Sequence, residues 1–156
     1  MEQYREVRQC ALDLMEQIRK STSPFTAIEY VRDELKENGF EELALHEEWK
    51  LQYGGKYVVT AFDRTLFGFT IGEKMAERQN IRIVSSHNDF PCFKIKMSPE
   101  ITAFGCRKLN VEPYGGMIRS TWMDRPLSVA GRVTVETENG VETKLLDIDQ
   151  IGRAHV

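Results

Sequence analysis

The chain has 156 residues, 41% hydrophobic, 29% charged and 10% aromatic, with a formal net charge of −3. That is too apolar for a disordered chain and too evenly charged for one immersed in a bilayer. There is no basic excess to hold phosphates, so nucleic acid is not expected as a partner, and no apolar run approaches the ~20 residues of a membrane span.

The chain reads as helices first, then mixed strands, then an all-β stretch. Val7, Cys10, Ala11, Leu14 and Ile18 recur at helical spacing among polar residues. Ser21-Thr22-Ser23-Pro24 stops that helix and starts another, with Ser23 as the N-cap and Pro24 at the first helical position, where its missing N–H costs nothing. Phe25, Ile28, Val31 and Leu35 carry the apolar stripe of the second helix, and Asn38-Gly39 ends it. Phe40 and Leu43 are expected to pack back onto it. Strands are predicted over residues 56–60, 65–71, 81–86 and 93–96, then 108–112, 127–136 and 141–148, with Asn139-Gly140 as a hairpin turn between the last two. The change of character over residues 97–101 is the candidate domain boundary.

The N-terminus, Met1-Glu2-Gln3-Tyr4-Arg5, has no apolar signal core. Cys10, Cys92 and Cys106 form an odd and scattered set, which reads as free thiols in a reducing cytoplasm.

His87 follows directly on a predicted strand, and Asp89 lies two positions on. In extended chain such residues point to one side, so both can converge beyond a strand end, where open α/β sheets place their ligands. A metal-bound imidazole commonly donates its other N–H to a carboxylate, which fixes its tautomer. Taken alone the signal is weak, since a lone His near a loop is more often a surface or capping residue.

The surrounding segment, Ser86-His87-Asn88-Asp89-Phe90-Pro91-Cys92-Phe93-Lys94-Ile95-Lys96, resembles the His-x-Asp segment of the aspartyl aminopeptidase family of zinc metallopeptidases. Lys108-Leu109-Asn110-Val111-Glu112-Pro113-Tyr114-Gly115-Gly116 is similar to that family's Lys-Leu-Asn … Tyr-Gly-Gly segment. Thr121-Trp122-Met123-Asp124-Arg125-Pro126-Leu127-Ser128-Val129-Ala130-Gly131-Arg132-Val133 resembles a third segment, and Ser23-Pro24-Phe25-Thr26-Ala27 resembles the family's start of the second helix. The segments occur in the family's order over residues 10–149.

The resemblance implies an α/β fold: the N-terminal part of a di-zinc exopeptidase catalytic domain over residues 1–97, followed over residues 98–149 by the start of an inserted β-rich dimerisation domain. It implies two zinc ions as cofactor, His87 as a metal ligand, and Asp89 as the catalytic-site carboxylate that orients it. It also implies an aminopeptidase that removes single residues, often acidic, from the N-termini of peptide substrates, and a cytoplasmic homo-oligomer built through the β-rich domain. The sequence departs from the family at Asn88 and Phe90, where many members have Thr and Ser.

The other residues in these segments have structural readings. Tyr114-Gly115-Gly116 reads as a turn, Trp122, Leu127 and Val129 as core or interface, and Asp124-Arg125 as a structural ion pair. Arg107, Lys108 and Arg119 read as a solvated basic face, and Cys92 as a buried thiol. Glu41-Glu42 and Glu47-Glu48 read as solvated charges, and His46 has no evident partner.

The family's bridging Asp, its Glu pair, a further Asp and a last His have no counterpart in this sequence. Asp147-Ile148-Asp149 still follows the family, and Gln150 onward departs. Ile-Gly-Arg-Ala-His-Val followed by a stop is what the opening of a common sequencing adapter encodes, so residues 150–156 are expected to be a non-native tail and His155 to carry no function. The expected molecule is therefore a truncated, inactive piece of a zinc aminopeptidase. The alternative is a non-catalytic oligomerisation or regulatory partner of a full-length enzyme. A related di-zinc peptidase or deacylase is disfavoured by the Tyr-Gly-Gly and Thr-Trp segments.

Overall fold

A computed structural model describes residues 1–74 and 80–154. Two helices open the chain, α1 over Glu2–Lys20 and α2 over Pro24–Glu37, followed by seven strands: β1 Glu41–Leu43, β2 Lys56–Ala61, β3 Thr65–Thr70, β4 Cys92–Ala103, β5 Cys106–Tyr114, β6 Pro126–Thr137 and β7 Gly140–Arg153. The mixed α/β class expected from the sequence is what forms.

Local sequence accounts for the start of α2. Ser23 is extended, its Oγ accepts from the Thr26 N–H at 3.2 Å, and Thr26 Oγ1 accepts from the Ser23 N–H at 2.8 Å. Two otherwise orphaned donors are thereby satisfied at a residue that is itself buried. Asn38 and Gly39 end the helix as expected, with Gly39 at φ 83. In α1 the stripe does not find a core: Val7, Leu14 and Ile18 are all exposed.

The chain divides into two units, Met1–Asn88 with Val129–Ile148, and Asp89–Ser128 with Asp149–Val156. In the first, β1, β2 and β3 form a sheet, β1 parallel to β2 and β2 antiparallel to β3. The β2–β3 turn is closed by the Arg64 N–H on the Ala61 carbonyl at 3.1 Å, with Phe62 and Asp63 both at φ 54. That left-handed pair matches the twist of a hairpin. Helix α2 packs on this sheet, and among the described residues the buried apolar side chains are Ile28, Tyr57, Val58 and Val59. Phe69 extends the cluster, 5.4 Å from the Tyr57 ring and 6.0 Å from Trp49.

In the second unit β4 and β5 form an antiparallel hairpin from Cys92↔Tyr114 to Ala103↔Cys106, turning on Phe104 and Gly105 at φ 53 and 73. The register shifts between Ile95 and Glu100, around Pro99. Proline cannot donate to a ladder and is accommodated at a bulge. Residues 97–101, the expected domain boundary, span this bulge within β4. By contacts the chain divides after Asn88, with Val129–Ile148 in the first unit. Strands β6 and β7 pair as a two-stranded sheet across the predicted turn before Gly140. Strand β7 runs through Arg153, into the segment expected to be non-native; His155 lies outside the described residues.

Candidate functional site

The approach to His87 differs from expectation. Residues 80–91 form neither helix nor strand. Ile81, Ile83 and Val84 are 77%, 81% and 98% exposed, and among the described residues the β-formers of the predicted strand 81–86 pair with no strand. Strand propensity reflects fit to a half-buried pleated surface, and such residues become a strand only where a neighbour pairs with them.

His87 and Asn88 end the first unit. His87 is exposed and, with Ser86 and Asn88, lines a cleft of about 400 Å3 whose other wall is Ala27, Ile28 and Val31 of α2 and Arg64, Thr65 and Leu66 of the β2–β3 turn. The Asn88 side-chain amide donates to the Arg64 carbonyl at 2.9 Å and to the Pro24 carbonyl at 3.4 Å.

Four further contacts in this unit join segments distant in the sequence. Thr22 Oγ1 donates to Asp147 at 2.8 Å, and the Arg132 guanidinium reaches Asp63 at 2.9 Å. The Phe25 ring lies 5.0 Å from the Arg132 guanidinium and 5.6 Å from that of Arg64. The start of α2, the Ala-Gly-Arg segment of β6 and the Asp-Ile-Asp segment of β7 thus meet at one place.

Asp89 opens the second unit and is half-buried. Its carboxylate accepts from the Tyr114 hydroxyl at 2.6 Å. Tyr114 was expected only as part of a turn. The turn is present, with Gly115 at φ 72, and a side chain there would stand 3.5 Å from Pro91 Cα. Phe93 meets Trp122 edge to face at 5.4 Å, as expected of a core or interface residue. The His-x-Asp, Tyr-Gly-Gly and Thr-Trp segments are therefore packed together from Asp89 onward.

The remaining residues carry little chemistry. Asp124 sits at φ 56, its N–H donates to the Ala154 carbonyl at 3.0 Å, and its carbonyl accepts from Arg153 at 3.0 Å. Arg125 donates to the Thr121 carbonyl at 3.5 Å. Arg107, Lys108 and Arg119 are exposed, as are Glu41, Glu47, Glu48 and His46. Glu42 pairs with Lys36 at 2.7 Å. Cys92 is half-buried rather than buried, and that burial pushes its thiol pKa up against the opposing pull of Lys94.

Zinc is held by about four donors. Among the described residues no group of three or more His, Cys, Asp or Glu side chains is placed to hold a metal. The described residues therefore do not make a complete zinc site.

The family follows from comparison: a model described as aminopeptidase I zinc metalloprotease (M18) matches residues 17–153, and the chain belongs to that family. It is 43% identical over 141 residues to a probable M18 family aminopeptidase 2 of Clostridium acetobutylicum, covering 88% of this chain and 33% of that protein. Among solved structures it superposes on Ape4, from a cryo-EM structure of the Ape4 and Nbr1 complex, with a TM-score of 0.88 at 34% identity, covering 92% of this chain and 28% of the other. The S. cerevisiae mApe1 dodecamer shares the fold, with a TM-score of 0.81 at 24% identity over 91% of this chain and 34% of that one. The chain spans about a third of the length of the curated relatives it matches.

Proposed function

We propose that this chain is the N-terminal part of a zinc-dependent aminopeptidase that releases N-terminal residues, acidic ones among them, from peptides. Residues up to about Met97 belong to its catalytic domain, and those from about Ser98 to Asp149 to an inserted β-rich oligomerisation domain. The observation that carries the reading is the family match over residues 17–153. His87 is one ligand of a two-zinc site, and Asp89 orients its imidazole; their spacing of two residues in extended chain suits that pairing. The other ligands and the general base come from sequence beyond this chain. The small number of buried apolar side chains and the exposed apolar faces of α1 and residues 81–84 support a piece of a larger molecule, since exposed apolar surface of that extent marks interfaces.

The family match and strand β7 both run through residue 153, past Asp149, after which a non-native tail was expected to begin. The whole enzyme is a cytoplasmic homo-oligomer, a reading supported by the dodecameric relative and by the free thiols Cys10, Cys92 and Cys106. No helix among the described residues is long and apolar enough to cross a membrane.

The test is hydrolysis of a peptide with an N-terminal Asp, in the presence of Zn2+. The 156-residue chain is expected to release nothing, and a polypeptide continuing beyond it to release free Asp in a manner abolished by His87→Ala. Release by the chain alone, lost in His87→Ala, would contradict the incomplete site. Release by the longer polypeptide unaffected by His87→Ala would contradict the role given to His87.

A further inference from the structure

Residues 80–91 form neither helix nor strand. The side chain that follows His87 ties this backbone to two other elements. Asn88 donates from one amide nitrogen to the Arg64 carbonyl, at 2.9 Å in the β2–β3 turn, and to the Pro24 carbonyl, at 3.4 Å in the first turn of α2. Both acceptors are carbonyl oxygens, so the NH2 end of the carboxamide must face them.

The two acceptors are themselves held. Pro24 follows the capped and buried Ser23, and Arg64 closes its turn on Ala61 at 3.1 Å. Phe25 lies beside the Arg64 guanidinium at 5.6 Å, which brings the two anchors side by side. A side chain bonded to two such points constrains its own backbone, and with it the adjacent Cα of His87 on the rim of the cleft.

We infer that Asn88 is the positioning residue for His87, tying its backbone to α2 and to the β2–β3 turn through two bonds from one carboxamide. This deepens, and rests on, the reading of His87 as a functional ligand. It also gives physical meaning to the departure at position 88. A threonine hydroxyl has one proton to donate, whereas a carboxamide has two. With Thr, one of the two anchors is lost; with Asp, isosteric but with no proton to give, two carbonyl oxygens face a carboxylate and both are lost.

The experiment is 15N relaxation on the 156-residue chain and its Asn88→Asp and Asn88→Thr variants, without metal. In the parent chain the His87 amide order parameter is expected near the rigid value of about 0.85, and in Asn88→Asp below about 0.6. Amides of α2 and of β2 and β3 should not change, which separates loss of positioning from general loosening. Asn88→Thr should fall between, and serves as the decisive variant where Asn88→Asp does not fold. A His87 order parameter that is already low in the parent, or that stays unchanged in the folded variants, overturns the inference.

The reading of His87 as a ligand is tested separately, by following its ring resonances on adding Zn2+ to the longer polypeptide that supplies the remaining ligands. No response there, with the relaxation result as expected, removes the metal role and leaves the Asn88 tie supported.

Discussion

The Tyr114 hydroxyl donates to the Asp89 carboxylate at 2.6 Å, across 25 residues of sequence. It stands at the end of the β4–β5 ladder, where Tyr114 pairs with Cys92 and Gly115 leaves room for Pro91. A charge-assisted bond of this length at the rim of the sheet holds the strand that follows Asp89 against the Tyr-Gly-Gly turn.

Tyr114→Phe removes the donor and keeps the ring. The expected cost is about 1 kcal/mol, since the carboxylate is only half-buried and water can replace part of the bond. Urea unfolding followed by Trp122 fluorescence, in a background with Trp49→Phe, reads it. An unchanged midpoint would show that the hydroxyl contributes nothing to this unit.

Ser23→Ala should lower stability by about 1 kcal/mol, because it strips the Oγ that accepts from the N–H of the half-buried Thr26. Ser23→Asp, which keeps an acceptor there, should cost less. Helicity followed through urea unfolding compares the two.

Arg132 joins β6 to the β2–β3 turn through Asp63 and to α2 through Phe25. The ion pair is exposed, with Asp63 69% accessible, so a double-mutant cycle of Arg132→Ala with Asp63→Ala should give about 0.5 kcal/mol and shrink in high salt. The cycle with Phe25→Ala should give a similar coupling that salt reduces less. Equal salt sensitivity of the two cycles would show that the ring contributes no separate attraction.

Burial raises the Cys92 thiol pKa, whereas Cys10 and Cys106 are exposed. Less thiolate and poorer access both slow its reaction with a disulfide reagent, so at mildly alkaline pH the native chain should show two fast thiols and one slow one. The sign for stability follows. The unfolded thiol ionises first, so the contribution is whole below the ordinary thiol range of about 8.5 and is lost as pH rises through the raised folded value. Mass mapping of the slow site to Cys10 or Cys106 would contradict this.

What was legible in the sequence is what is decided locally. Ser23, Pro24, Asn38 and Gly39 set the limits of α2 by their own backbone preferences, and Asn139-Gly140 sets the β6–β7 turn. Residues 81–86 have the composition of a strand and no ladder, because a strand requires a neighbour that composition does not supply. Pro99 reads as an interruption of the chain, and it interrupts only the ladder, as a bulge within β4. His87 and Asp89 stand out by their spacing, and the metal role proposed for them rests on the family resemblance. The bonds from Asn88 to Pro24 and Arg64 and from Tyr114 to Asp89 could not be picked out, since they span 24 to 64 residues and depend on how the strands close.

The proposal that this chain is the N-terminal part of a zinc aminopeptidase is tested by one long sequencing read of the source DNA past the codon for Asp149. An open frame is expected, running on into further Glu and Asp residues and a late His able to complete the metal site. A stop codon directly after Val156 in that DNA would contradict it.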